Sequence, residues 1–92
     1  MTHRFTATIE RNGVMDAAFV RVPIDIKKEY GKGRLKVQAT FDGVPYSGSV
    51  VNMGVKDEEG NVCYIIGVTK AVRVAIGKTF GDTVDVTITH NP

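Results

Sequence analysis

The chain has 92 residues, 42% of them hydrophobic and 24% charged, and 12 Lys or Arg against 10 Asp or Glu give a formal charge of +2 at pH 7. That length accommodates one domain, expected over residues 1–92, and the even mix of apolar and charged residues excludes a disordered chain. So small a basic excess does not by itself point to nucleic acid, and a single cysteine, Cys63, excludes an intrachain disulfide.

A small chain without disulfides is expected in a reducing interior, here the cytoplasm. The start, Met1-Thr2-His3-Arg4-Phe5-Thr6, lacks the apolar stretch of a signal peptide. No run reaches the roughly 20 apolar residues that span a bilayer, so no membrane partner is expected.

Taken in order, His3 to Glu10 reads as a first strand, with Phe5, Ala7 and Ile9 on one face and Thr6, Thr8 and Glu10 on the other. Asn12-Gly13 marks a turn, and a second strand follows from about Ala17 to Val22. Pro23 lacks a backbone donor and can open a short helix, predicted over Ile24 to Tyr30, with Gly31 as a left-handed cap. Leu35, Val37, Ala39 and Phe41 then alternate with polar residues, and Asp42-Gly43 turns the chain into a strand from Val44 to Val51.

Asn52 to Asn61 is polar and reads as a loop or an irregular hairpin. Val62 to Val68 is nearly all apolar, as in a strand buried on both faces. Thr69 can cap a helix over Lys70 to Ile76, with Val72, Ala75 and Ile76 as its apolar stripe, Lys70 and Arg73 mostly outside it and Gly77 as its stop. Gly81-Asp82 leads into a last strand, Thr83 to His90. The fold expected is mainly β, with six to seven strands and two short α-helices. So many strands in so short a chain hide their edges most economically by closing into a β-barrel.

Five segments together carry a resemblance: Phe19-Val20-Arg21-Val22-Pro23, Gly33 to Val37, Phe41-Asp42-Gly43-Val44-Pro45-Tyr46-Ser47-Gly48-Ser49, Gly67 to Arg73, and Gly81-Asp82-Thr83-Val84. In combination they resemble a bacterial and archaeal domain-of-unknown-function family with a β-barrel of the double-split type. Members of that family stand alone or beside a bacteriocin-protection (outer-membrane-protein-D-associated) domain. The resemblance runs from about Phe5 to Ile88 and implies the fold, but it supplies no catalytic residues. The family pattern often carries a Trp before the strand that ends in Val-Pro, where this chain has Ala17-Ala18 and no Trp at all.

Lys27, Lys28, Lys32, Arg34 and Lys36 crowd one segment, opposed only by Glu29. Its loop, Gly31-Lys32-Gly33-Arg34, could present N–H groups and cations to a phosphate or carboxylate, or be a helix cap and a solvated strand face. The spacing is not that of a P-loop. Lys70 and Arg73, with Lys78 beyond the helix, would join this patch if the two lay side by side. The candidate anion site is therefore Lys32, Arg34, Lys36, Lys70 and Arg73.

Tyr30, Tyr46 and Tyr64 could be stacking platforms, yet the alternation puts each in the core or at its border. Ser47 and Ser49 would need a base, and His3 and His90 lie near the two ends, which could pair as neighbouring strands. Cys63 sits in the most apolar strand and reads as a small hydrophobe. Asp57, Glu58 and Glu59 read as solvated carboxylates and Asp82 as turn chemistry. No metal-ligand spacing and no cofactor motif is present.

The expected function is a non-catalytic binding module for an anionic ligand or a nucleic-acid backbone, through a basic face. The alternative is a protein-interaction or accessory domain, self-associating through an edge strand. No enzyme is expected, because nothing in the sequence sets a nucleophile, a base and an orienting group together.

Overall fold

Alternation of apolar and polar residues becomes strand wherever one face can be buried, and it does so over most of this chain. The computed structural model describes residues 2–14 and 16–90. Its strands are β1 (Thr2–Thr8), β2 (Glu10–Arg11), β3 (Ala18–Val22), β4 (Arg34–Phe41), β5 (Val44–Val51), β6 (Tyr64–Val68) and β7 (Thr83–Thr89). Two short helices, α1 (Ile26–Tyr30) and α2 (Lys70–Ile76), complete it. All seven strands form one antiparallel sheet in the order β1-β7-β4-β5-β6-β3-β2.

The first strand departs from expectation. His3 to Glu10 is not one element: the residues up to Thr8 pair with β7, and Glu10 and Arg11 pair with β3. Ile9, between them, is almost fully buried; its N–H donates to the Asp82 carbonyl at 2.9 Å and its carbonyl accepts from the Gly81 N–H at 2.8 Å. The two edge strands of the sheet are thus one residue apart in the chain. A sheet can satisfy that only by curling until its edges approach, which makes the fold barrel-like.

Inward residues of β4 (Leu35, Val37, Ala39, Phe41) and β7 (Val84, Val86, Ile88) are buried. Val20 and Val22 of β3, Ile66 and Val68 of β6, and Val50 of β5 meet them in the same core, joined by Ile26 and Val72 from the helices. Burying a Val or Ile side chain contributes roughly 1.5–3 kcal/mol, so this cluster is what pays the entropy of ordering the chain.

The β4–β5 hairpin follows from Asp42-Gly43, where φ is 48° and 86°, a two-residue turn with both residues left-handed. Asp42 also ties the turn to β7. Its N–H donates to the Asp85 carbonyl at 2.8 Å, and its Oδ1 accepts from the Asp85 N–H at 2.9 Å. Its Oδ2 pairs with Lys78 Nζ at 2.6 Å. Phe41 and Val44 close the turn, so the next pair, Thr40 and Pro45, exchanges no backbone hydrogen bonds. The Pro45 nitrogen therefore faces away from β4, where β5 pairs with β6 only at Val50 and Val51. A proline there removes a donor from an open edge and blunts strand addition.

The helices begin and end where their caps stand. Asp25 accepts from the Lys28 N–H at 3.1 Å, so α1 starts at Ile26 and not at Ile24, with Pro23 outside it. Thr69 caps α2 through the Val72 N–H at 3.3 Å, and Gly77 ends it. The face that α2 buries differs from expectation: Val72 and Arg73 are buried, Ala75 is exposed and Ile76 is half-buried. Strand β6 starts at Tyr64, because Val62 forms only an isolated bridge with Lys56 around the turn that Asp57 closes on Glu59 and Asn61. The polar stretch before it is an irregular hairpin loop. No helix among the described residues is long and apolar enough to cross a membrane.

Candidate functional site

The outward residues of β4 and β7 are polar, as are Ser47 and Ser49 of β5, and strand register sets them in rows. Gln38 lies opposite Thr89 on one side and Ser47 on the other. Lys36 lies opposite Ser49, and Arg34 opposite Val51. Ser47 Oγ donates to Gln38 Oε1 at 2.7 Å. An open groove of about 420 Å³ runs here, lined by Lys36, Val37, Gln38, Ser47, Gly48, Ser49 and Thr89. His90, just beyond β7, contacts the Lys36 carbonyl through Nδ1 at 3.3 Å.

Gly48 makes room for the Tyr46 ring on the inner face beneath this groove. A Cβ there would come within 2.5 Å of Tyr46 Cε2, because the Tyr46 ring leans across Gly48 towards Phe41, its centroid 5.9 Å away. Lys32, Arg34 and Lys36 are all exposed, and the described residues place no carboxylate within ion-pair distance of any of them.

Lys70 and Arg73 line other grooves, beside α2. Of the five cations expected as one site, Lys36 lines the groove on β4 and β5, and Lys70 and Arg73 line those beside α2. Arg73 departs furthest from expectation: its side chain is 8% exposed, and Nη1 donates to Asp16 Oδ1 at 3.2 Å. Its Cζ lies 5.0 Å from the Phe80 ring centroid, and Arg11 lies over the same ring at 4.3 Å. Its neighbours Asp16 and Phe80 come from loops, which helical periodicity does not report.

The remaining candidates resolve into structural roles. Tyr64 is buried, Tyr46 covers Gly48, and Tyr30 meets His3 Nε2 through its hydroxyl at 3.1 Å and the His90 ring edge-on at 4.9 Å. The two ends of the chain do pair as neighbours, and both histidines gather on Tyr30. All seven aromatic residues are buried or half-buried, so none offers an open stacking surface. Ser47 has Gln38 and no base beside its hydroxyl, and Cys63 is half-buried with Sγ directed at the Tyr64 carbonyl, 3.8 Å away. Asp82 accepts from the Thr79 N–H at 2.9 Å, as turn chemistry requires. Among the described residues no cluster of three or more His, Cys, Asp or Glu could hold a metal ion.

Gln38 and Thr89 were not singled out from the sequence. Their outward positions are readable from alternation, but the row they form depends on β4 lying beside β7, and nothing in the sequence states that pairing.

A curled antiparallel sheet with two short helices and a hydroxyl-rich outer groove defines a small β-barrel-like domain. Residues 5–88 match the family described as Domain of unknown function (DUF1905), and the chain belongs to that family. No curated protein matches the chain.

Proposed function

We propose that this domain is a non-catalytic binding module for a small anionic molecule bearing hydroxyl groups, held on the outer face of β4 and β5. The observation that supports this reading is the groove itself. It joins the cation of Lys36 to the amide of Gln38 and the hydroxyls of Ser47, Ser49 and Thr89, with Arg34 at the next outward position of β4. Cations without carboxylate partners suit a phosphate, and adjacent hydroxyls and an amide suit sugar-like hydroxyls. The closed aromatic inventory argues against base stacking, so a nucleic acid would be held here by its backbone alone.

Two or three cations imply a modest affinity. For single-stranded nucleic acid, each phosphate neutralised steepens the logarithmic salt dependence by about 0.7, so binding would weaken roughly tenfold between 50 and 200 mM salt. NMR titration of the labelled protein with ribose 5-phosphate and with a short single-stranded oligonucleotide tests the reading. Amide shifts at Lys36, Gln38, Ser47, Ser49 and Thr89 are expected, with at least tenfold weaker binding in Arg34→Glu/Lys36→Glu. A preference for the oligonucleotide selects the backbone ligand. Shifts elsewhere only, or unchanged binding by the double variant, overturn the proposal.

The accessory-domain reading draws on β1, which pairs with a strand along one edge only. Pro45 counts against the same use of β5. Sedimentation of the purified chain separates the two readings: a dimer abolished by a proline at Thr6 would favour self-association.

A further inference from the structure

We propose that Arg73 and Lys70 form a second oxyanion site, apart from the β4–β5 groove, and that Asp16 occupies it in cis. Two grooves flank α2, of about 350 and 250 Å³, and the three residues common to both are Asp16, Lys70 and Arg73. The Asp16 side chain therefore borders both grooves, together with the two cations.

The guanidinium is poorly used by its present partner. It carries five N–H donors in a fork that suits two oxygens at once. Asp16 takes one contact, Nη1 to Oδ1, at 3.2 Å. Arg73 Nε is fully buried and has no acceptor among the described residues. A buried donor without an acceptor is uncommon in folded proteins and marks a place where another acceptor would be stabilised. The cation is also held in advance: Phe80 covers it, and the Arg73 side chain is 8% exposed while that of Asp16 is 64% exposed. A ligand oxyanion would meet a guanidinium already desolvated and fixed, so it need not supply that cost on binding.

Asp16 can leave. It belongs to the loop between β2 and β3, closed by the Asn12 N–H on the Ala17 carbonyl at 2.9 Å. Val14 in that loop is 96% exposed. The chemical class that fits is a phosphate. Lys70 adds a second cation at the same junction, and a dianion engages two cations better than the single carboxylate it displaces. Lys78 lines the larger groove as well, but it is already paired with Asp42.

Titration with inorganic phosphate, followed through the Arg73 Nε–H and the Lys70 and Ala17 amides by NMR, tests this. Asp16→Asn is expected to bind phosphate at least tenfold more tightly than the wild-type chain, because no carboxylate competes. Lys70→Ala in that background is expected to weaken binding several-fold. Equal affinity with and without Asp16, or no shift at Arg73 and Lys70, overturns the proposal. Acetate binding as tightly as phosphate overturns the phosphate assignment. If Asp16→Asn does not fold, the wild-type chain decides: saturable displacement of the Ala17 and Arg73 resonances supports the site, and their indifference to phosphate refutes it. Arg34→Glu/Lys36→Glu, which tests the outer groove, is expected to leave this binding unchanged.

Discussion

Arg34 and Arg73 carry the same cation into opposite surroundings. Arg34 lies on an exposed strand face, with no ion pair among the described residues, beside a groove of hydroxyls and an amide. Arg73 is buried against Phe80 and tied to Asp16. An exposed guanidinium keeps its hydration and is free to exchange water for a ligand, but it contributes little to folding. A buried one has given up its hydration, so the fold must supply packing and a counter-charge in return. Charge density read from sequence cannot separate these two cases, because both look like basic residues near a helix or strand.

The largest expected effect is at Arg73. Arg73→Ala removes a buried aliphatic stem and its contact with Phe80, and about 2–3 kcal/mol of stability is expected to be lost in urea unfolding. Arg34→Ala and Lys36→Ala are expected to stay within about 0.5 kcal/mol of wild type. Arg73→Met keeps most of the stem and drops the charge, so it is expected to recover most of the loss. A methionine variant as unstable as the alanine one would show that charge, and not packing, is what the site needs.

Asp42 ranks next. Its carboxyl is held below its ordinary value of 3.8, first by the hydrogen-bonded Lys78 ammonium and then by the Asp85 N–H. Losing these contacts in Asp42→Ala is expected to cost about 1–2 kcal/mol, near the low end because the group is partly solvated. A lowered folded value means that the unfolded chain binds the proton more tightly. The contribution is therefore present above pH 3.8 and lost as pH falls through the lower, folded value. Acid unfolding of Asp42→Asn is expected to show a shallower loss of stability below that pH than wild type. An identical slope would assign the acid sensitivity elsewhere.

A smaller effect than at Arg73 is expected at Gly48, beneath the groove. Gly48→Ala forces the Tyr46 ring aside, at about 1 kcal/mol by thermal unfolding, and should shift the Ser47 and Ser49 amides. Unperturbed spectra would mean that the ring is not what holds the groove in shape.

Strand β5 was legible to the residue because Asp42-Gly43 and Val51-Asn52 bracket an alternating run. Helix α2 was legible for the same kind of reason, with Thr69 and Gly77 as caps. The break at Ile9 was not. Changing partner strands from β7 to β3 leaves the two-residue period intact, so local pattern carries no trace of it. The burial of Arg73 was hidden differently, since the groups that enclose it come from residues 16 and 80, at opposite ends of the chain. The groove needed the register between β4 and β7, which only the assembled sheet specifies.

Because β7 lies between β1 and β4, the first strand of this sheet to be synthesised must wait for the sheet's last. Thr2 meets Thr89 across 87 residues. Until β7 has left the ribosome, the inward sides of Ala39 and Phe41 lack Ile88 and Val86 beside them, and the growing chain carries adhesive surface. Such long-range pairings place folding on the millisecond-to-second scale and lengthen the interval in which a chaperone has something to hold.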